Sequence, residues 1–346
     1  MRLVYYISGH GLGHSSRSIE VMREIRARDP LAEITVRTAA PRWIFESAAP
    51  RGVVYEHLVT DTGVVQDDSL SLDEDATARA AAAFDDRFAD LVDEEARLLR
   101  DRRPDVVIGD VPPVASAAAH RAELASVVVA NFTWDWILGI YSAFDRFAPR
   151  AIRTMGDAYA KTTLALRLPL HGGFSTTPAV RDIPLIARTS LRGRAETRRL
   201  LKLADDRVVV LSSFSGFGLD LPIADLERSG DFVLLAPEKE PPAGLRYEDL
   251  VAAADVVVSK PGYGIVSECA ANGTALLYSS RGNFVEYDLL VREMPRFLRC
   301  RFIPQDDLRA GRWTEHVRAV LAQPKPATRA RVDGAAIAAA AILDMA

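Results

Sequence analysis

Residues 255–277 constrain the fold of this 346-residue chain more than any other stretch. They begin with three consecutive valines, the continuous apolar run typical of a strand that is covered on both faces. Gly262 and Gly264 end this run, helix-spaced apolar residues follow, and Asn272-Gly273 is a helix stop. The pattern predicts a buried strand, a glycine turn, a short helix and a second strand.

A turn of this kind is suited to hold phosphate, because free N–H groups and the positive end of the helix dipole point out of it. Glu268 lies four residues after Gly264, on the same helix face and one turn deeper. A carboxylate there accepts hydrogen bonds from both hydroxyls of a ribose, so the stretch outlines a nucleotide site. The alternative is a purely structural turn, since glycine turns between strand and helix also occur in α/β proteins that bind nothing there.

The N-terminus predicts a second unit of this type, with a strand at residues 3–8, a glycine loop at residues 9–14 and a helix at about residues 15–28. The loop has the spacing G-x-G-x-G, whereas the dinucleotide fingerprint is G-x-G-x-x-G. The next strand also runs into Thr38-Ala39-Ala40, without the acidic residue that holds an NAD ribose. We therefore do not expect an NAD-binding domain.

The length predicts two domains, each large enough for its own core. A long helix is predicted at about residues 75–102, and glycine, proline and threonine cluster at residues 168–182, where we place the linker. The predicted domains are residues 1–170 and residues 171–326. An alanine-rich helix at residues 327–346 could cross back to the first domain.

The composition is that of a soluble globular protein, with 49% hydrophobic and 26% charged residues. A net charge of −4 gives no reason to expect nucleic acid or an anionic membrane as a partner. Two cysteines and a short N-terminal apolar run indicate a cytoplasmic protein without a signal peptide or transmembrane segment. Peripheral membrane contact and the oligomeric state stay open.

Several runs resemble known glycosyltransferases. Residues 259–268 resemble the donor motif of the lipid-linked N-acetylglucosamine transferase of peptidoglycan synthesis, and residues 9–14 resemble the N-terminal glycine loop of that enzyme. A closer match, over most of the chain, is the glycosyltransferase-like N-terminal domain of plant L-arabinokinases, which residues 5–14, 110–115, 131–135 and 255–277 resemble. These resemblances imply an α/β protein of GT-B architecture, in which two Rossmann-like domains face a cleft and the second holds the nucleotide-sugar donor.

The resemblance implies roles for individual donor-side residues. Lys260 and the turn from Gly262 to Gly264 would meet the diphosphate, and Glu268 would meet the ribose. Two departures from the peptidoglycan enzyme matter: Pro261 stands where that enzyme has serine, and Glu286 and Asp288 stand where it has paired glutamines. Those carboxylates could bind sugar hydroxyls. The full set of expected donor-binding residues, with Leu245 and Arg246 near the base, is Gly11, Gly13, Ser213, Ser215, Gly216, Leu245, Arg246, Lys260, Gly262, Tyr263, Gly264, Glu268, Glu286 and Asp288.

The expected catalytic pair is His14 and Asp110. Both residues follow predicted parallel strands, which brings them to one edge of a sheet. Histidine suits a general base because it titrates near neutrality, and a carboxylate on the far ring nitrogen fixes the tautomer and stabilises the imidazolium. The pair also matches the His–Asp pair of plant-type glycosyltransferases. The alternative is that His14 only caps the following helix and Asp110 only opens the next one.

On the acceptor side we expect His10, Trp134 and Asp135, and His10 is also the second candidate for the base. Three functions remain open. The first is a metal-independent, inverting transferase that moves a sugar from a nucleotide-diphosphate donor, UDP in particular, to a small-molecule or lipid-linked hydroxyl. The second is a non-hydrolysing sugar-nucleotide epimerase, and the third is a non-catalytic nucleotide-sugar-binding regulatory domain. No cofactor or metal is expected, because the match of residues 73–75 to D-x-D is better explained by acidic residues at a helix start.

Overall fold

The computed structural model describes residues 1–66, 71–214, 219, 221–236, 241–242 and 244–345. The chain divides into two compact units. The first contains Met1–Val65, Asp73–Ile186 and Asp333–Ala346, and the second contains Gln66–Leu72 and Ala187–Val332.

The first unit is built on a parallel seven-stranded sheet. Its strands are β1 (Arg2–Ile7), β2 (Glu33–Thr38), β3 (Val54–His57), β4 (Val106–Asp110), β5 (Ser126–Ala130), β6 (Leu164–Arg167) and β7 (Val180–Asp182), in the order β3-β2-β1-β4-β5-β6-β7. Its helices are α1 (Gly13–Arg28), α2 (Arg42–Ala48), α3 (Glu74–Asp86), α4 (Phe88–Arg102), α5 (Pro113–Arg121), α6 (Trp134–Leu138), α7 (Ala143–Phe147) and α8 (Ala151–Tyr159). The central strands β4 and β5 are buried throughout, as their unbroken apolar sequence requires.

The second unit is built on a parallel five-stranded sheet. Its strands are β8 (Val209–Ser213), β9 (Val233–Leu235), β10 (Val256–Ser259), β11 (Ala275–Tyr278) and β12 (Cys300–Phe302), in the order β12-β11-β10-β8-β9. Its helices are α9 (Arg194–Leu200), α10 (Ile223–Ser229), α11 (Tyr247–Ala253), α12 (Tyr263–Asn272), α13 (Val285–Glu293), a 3-10 turn at Met294–Arg296, α14 (Gln305–Arg309) and α15 (Thr314–Leu321). The predicted α/β class is therefore confirmed.

The predicted linker at residues 168–182 is wrong. These residues lead from β6 into β7, and Ala165 pairs with Val180 while Arg167 pairs with Asp182. The first unit therefore extends to Ile186 instead of ending at residue 170. The glycines and prolines of this segment shape a connection inside the unit, which local composition alone does not distinguish from a connection between units.

The C-terminal helix α16 (Gly334–Leu343) belongs to the first unit, while residues 327–332 belong to the second. Its backbone enters the unit where the N–H of Gly334 donates to the carbonyl of Leu185 at 3.1 Å. A Cβ on Gly334 would lie 2.1 Å from the carbonyl oxygen of Pro184, so only glycine allows this close approach. The small alanine side chains then let α16 pack closely against α1.

The single helix predicted at residues 75–102 is two helices, because the backbone leaves the helical conformation at Arg87. No glycine or proline stands there. The two halves pack against different partners, α3 against α7 and α4 against α5, so tertiary packing explains the bend. At the start of α3, the side chain of Asp73 accepts a hydrogen bond from the N–H of Ala76 at 2.8 Å, which is the capping role expected of an acidic helix start.

Among the described residues, no helix combines the length and apolar character that crossing a bilayer requires.

Candidate active site

His14 and Asp110 meet at the carboxyl edge of the first sheet. Asp110 is the last residue of β4, and Ile7 at the end of β1 pairs with it in register. The chain turns from β1 through the glycine loop into α1, whose second residue is His14. Nδ1 of His14 lies 2.8 Å from Oδ1 of Asp110, and both side chains are buried. The hydrogen-bond contact that the sequence predicts between them is present.

Arg17, one turn further along α1, holds Asp110 more extensively than His14 does. Its Nε donates to Oδ2 at 2.7 Å and its Nη2 donates to Oδ1 at 2.5 Å, which makes a bidentate ion pair. The hydroxyl of Ser18 also donates to Oδ2 at 3.0 Å. Nη1 of Arg17 donates to Oδ1 of Asn131 at 2.6 Å, just after β5. Burial acts to raise the pKa of Asp110, but Arg17 and then His14 outweigh it and hold that pKa below its usual value.

Two aromatic side chains, Phe132 and Trp134, lie beside the ring of His14. The His14 ring is edge-on to Phe132, with ring centroids 5.5 Å apart, and Trp134 is 6.5 Å from His14 by the same measure. The ring of His10 also lies edge-on to Trp134, with centroids 5.7 Å apart. The two expected acceptor-side residues His10 and Trp134 are therefore neighbours. Asp135 starts the next helix, and its Oδ1 is buried without a hydrogen-bond partner among the described residues.

Asp61, in the loop after β3, is a second carboxylate of this region that the sequence analysis missed. Its Oδ2 accepts a hydrogen bond from the indole N–H of Trp134 at 2.9 Å, and its Oδ1 accepts one from the hydroxyl of Ser8 at 3.1 Å. Burial raises the pKa of Asp61 by more than Trp134, His14 and Ser8 lower it, and the charge of Asp110 adds to the rise.

The glycine turn of the second unit has the form that the sequence predicts. Strand β10 ends at Ser259, and Gly262 precedes the first turn of α12 in an extended conformation. A Cβ built on Gly262 would meet no atom within 4 Å, so the space around the turn is open. Ser259 lies in register with Ser213 of β8 and with Tyr278 of β11, so loops from three adjacent strands meet at this edge.

Glu268 on α12 is buried, and Arg188 occupies one of its oxygens. Nε of Arg188 donates to Oε1 of Glu268 at 2.6 Å, and a second carboxylate, Glu248, lies 3.9 Å from the same guanidinium. Burial raises the pKa of Glu268 by more than Arg188 lowers it, and Glu248 adds to the rise. A hydrogen-bond donor such as a diol would stabilise the charge of the buried Glu268 carboxylate, of which Arg188 bonds only one oxygen among the described residues.

Neighbouring side chains complete the Glu268 cluster. The guanidinium of Arg188 lies over the ring of Tyr247 at 5.1 Å from its centroid, and the Tyr247 hydroxyl is hydrogen-bonded to that of Ser213. Arg246 precedes α11, with its side chain 55% exposed and 3.7 Å from Glu248. Leu245 comes directly before it and is half-buried. The residues expected near a base are thus close in sequence to this cluster.

The other described residues of the expected donor site lie in both units of the chain. Glu286 is buried 3.6 Å from Nη1 of Arg281, whereas Asp288, two residues later on α13, is exposed. Ser215 and Gly216 lie outside the described residues. Lys260 and Gly264 lie in or next to the glycine turn and Tyr263 is buried in the first turn of α12, while Gly11 and Gly13 lie in the loop of the first unit.

The sequence did not reveal four charged residues of these clusters, namely Arg17, Asp61, Arg188 and Glu248. A signal existed for Arg17, which follows His14 by three residues and so lies on the same face of α1. Asp61 contacts Trp134, which lies 73 residues later in the chain, and Arg188 contacts Glu268, which lies 80 residues later. Glu248 lies beside the second contact. Within the described residues, no three histidine, cysteine, aspartate or glutamate side chains are grouped as metal ligands.

The comparisons with known proteins agree with this architecture. L-arabinokinase of Arabidopsis thaliana is 32% identical over 361 aligned positions, which cover 97% of this chain and 33% of that protein. The chain therefore spans about a third of the length of this curated relative. No protein-family model matches the chain.

Solved glycosyltransferase structures are similar to this chain over nearly its full length. The glycotransferase of kitacinnamycin has a TM-score of 0.62 at 16% identity, covering 98% of this chain and 95% of its own. SnogD from Streptomyces nogalater has a TM-score of 0.56 at 18% identity, covering 100% and 99%. VinC, solved in complex with dTDP, has a TM-score of 0.57 at 15% identity, covering 100% and 95%. The resemblance to L-arabinokinase is thus confirmed, whereas the resemblance to the peptidoglycan enzyme stays a sequence-based prediction. The chain has the GT-B fold of glycosyltransferases.

Proposed function

We propose that this protein is a metal-independent, inverting glycosyltransferase that uses a nucleotide-diphosphate sugar, a UDP-sugar in particular. The observation that carries the proposal is the buried contact of 2.8 Å between Nδ1 of His14 and Oδ1 of Asp110. This contact lies at the carboxyl edge of a parallel sheet, where α/β proteins bind their ligands. The residue types suit removal of a proton from a hydroxyl near neutral pH.

The proposed donor site is the glycine turn before α12. Open space around Gly262 leaves room for a diphosphate, and the N–H groups of the first helical turn are suited to bind it. Glu268 lies one turn deeper, and only its Oε1 is bonded by Arg188 among the described residues, so Oε2 accepts from the ribose. The dTDP complex of VinC, a protein of the same fold, supports a nucleoside diphosphate as the ligand.

The proposed reaction is a single displacement. The Nδ1–H of His14 donates a hydrogen bond to Oδ1 of Asp110, so the lone pair on Nε2 is free to take the proton of the acceptor hydroxyl and His14 becomes an imidazolium. The acceptor oxygen forms a bond to the anomeric carbon as the bond from that carbon to the diphosphate oxygen breaks. The bonding pair leaves with the diphosphate, and the configuration of the anomeric carbon inverts. Asp110, fixed by Arg17 and Ser18, keeps the imidazole in the required tautomer.

A non-catalytic nucleotide-sugar-binding domain is the second candidate. The curated relative is named as a sugar kinase, and this chain matches a third of its length. In that case the Glu268 cluster would bind the nucleotide-sugar, and the His14 pair would have a structural role.

Incubation of the purified protein with a panel of nucleotide-sugars separates the candidates. A transferase releases nucleoside diphosphate only when a hydroxyl acceptor is present, and the new glycosidic bond has the opposite anomeric configuration to the donor. An epimerase changes the sugar without an acceptor. Tight binding of a nucleotide-sugar without any turnover would instead establish the regulatory domain.

A further inference from the structure

Among the described residues, two carboxylates and one arginine are grouped near His14: Asp110 and Arg17, which are buried, and Asp61, which is partly buried. Arg17 donates to both oxygens of Asp110, so these two opposite charges form a compact pair. Asp61 differs, because its hydrogen-bond donors within the described part of the chain are the neutral indole of Trp134 and the neutral hydroxyl of Ser8. An indole N–H only donates, so Oδ2 of Asp61 acts as the acceptor, which both an ionised carboxylate and the carbonyl oxygen of a neutral carboxyl can do. With neutral His14 and ionised Asp61, the group of Asp61, Asp110 and Arg17 carries one net negative charge.

We propose that Asp61 is a positioning residue that supplies the negative charge balancing the imidazolium of His14. This inference rests on the proposed function, in which His14 takes a proton from the acceptor. Protonation of His14 brings this group to zero net charge, which is favoured because Asp110, Arg17 and His14 are buried and Asp61 is partly buried. Asp110 alone balances the charge of the imidazolium poorly, because Arg17 already offsets the charge of Asp110.

Arg17 also places a positive charge next to the ring of His14. Its Nη2 lies 3.1 Å from Nδ1 of His14, so a fixed positive charge stands directly beside the ring that becomes positive. A negative charge in addition to that of Asp110 therefore favours the protonated ring. Trp134 connects the two residues: its ring centroid is 6.5 Å from that of His14, and its N–H is bonded to Asp61.

Other titratable groups surround this cluster and bear on any pH dependence. Asp61 is influenced by the charges of Asp110 and His14, and the hydroxyl of Tyr159 on α8 is influenced by those of Asp61 and Asp135. His10 is the main rival as the partner of Asp61, since it contacts both Trp134 and Gly63. Among the described residues, the titratable groups that interact with this cluster or line a common pocket with Asp61 are Tyr5, His10, Arg17, Asp85, Asp110, Asp135 and Tyr159.

The test is an NMR titration of the histidine rings in the protein without substrate. Asp61→Asn keeps an acceptor for Trp134 and removes the charge. We expect this variant to take up its proton on His14 at a pH lower by on the order of one unit than the wild type does. Trp134→Phe removes the indole N–H and keeps the charge of Asp61, so it should shift the His14 titration much less.

Two results would overturn the inference: an unchanged His14 titration in Asp61→Asn, or a shift confined to His10. If Asp61→Asn does not fold, the wild-type protein gives the answer, because coupled groups each show the titration of the other. The His14 signal should then have a second inflection at the pH where the Asp61 carboxyl titrates, and its absence would contradict the coupling. Since no substrate is used, failure of this test is distinct from failure of the transferase function.

Discussion

Arg17 donates hydrogen bonds to both carboxylate oxygens of Asp110, at 2.5 and 2.7 Å, in the buried interior of the first unit. The pair joins α1 to the end of β4, and the third contact of Arg17, to Asn131 at 2.6 Å, extends the connection to the residue after β5. It therefore fixes the helix that carries His14 relative to the two central strands.

We expect Arg17→Met to destabilise the protein by about 3 to 5 kcal/mol, because it leaves the buried Asp110 charge without its main partner. Urea denaturation measures this loss. Arg28→Met on the same helix is the matched control, since its ion pair with Glu24 is exposed and should contribute about 0.5 kcal/mol or less. Equal losses in the two variants would show that the buried pair adds no special stability.

The pKa of Asp110 gives a prediction for the pH dependence of stability. Against burial, Arg17 and His14 hold that pKa below its usual value. A carboxyl whose pKa is lower in the folded than in the unfolded state stabilises the fold above its unfolded value of about 3.9, and this stabilisation is lost as the pH falls through the folded value. The difference in free energy of unfolding between wild type and Asp110→Asn should therefore shrink below about pH 4. A difference that is constant or grows there would contradict the ion pairing.

Gly262→Leu tests the donor site without disturbing the fold. The backbone at this position is extended, with φ of −151°, and no atom lies within 4 Å of a Cβ built there. We expect the free energy of unfolding to change by no more than about 0.5 kcal/mol and the affinity for UDP to be lost, as calorimetric titration would show. Undiminished UDP binding by the folded variant would place the diphosphate elsewhere.

Glu268→Ala tests recognition of the ribose. Each hydrogen bond to a charged group contributes about 1.5 to 3 kcal/mol, so UDP should bind more weakly by at least about tenfold while deoxy-UDP loses much less. Glu248→Ala is the control, because it also removes a carboxylate near Arg188 but has no proposed contact with the sugar. The same loss for UDP and deoxy-UDP in Glu268→Ala would mean that this carboxylate only stabilises Arg188.

The local part of the architecture was accessible from the sequence. Strands β4 and β10 are continuous apolar runs and Gly262 interrupts such a run, so short-range patterns predict them. The His14–Asp110 contact followed from a general rule that the carboxyl ends of parallel strands lie at one edge.

The parts that the sequence did not reveal depend on distant residues. Asp61 acquires its position from Trp134, 73 residues later in the chain, and Glu268 meets Arg188 across 80 residues. The bend at Arg87 arises because α3 and α4 pack against different helices, and nothing in the local sequence marks it. Residues 168–182 have the composition of a linker, yet pairing of β7 with β6 keeps them inside the first unit.

The most direct measurement is the acceptor-dependent release of nucleoside diphosphate by wild type and His14→Ala with the same donor. We expect His14→Ala to lose about 10² to 10⁴ in turnover, the contribution of a positioned general base, while its affinity for the donor stays nearly unchanged. Asp110→Asn should lose less, and the double variant should lose little more than His14→Ala, because the two residues act as a unit. Turnover by His14→Ala at the wild-type rate, or a wild-type protein that binds a donor and never transfers its sugar, would contradict the proposed catalysis.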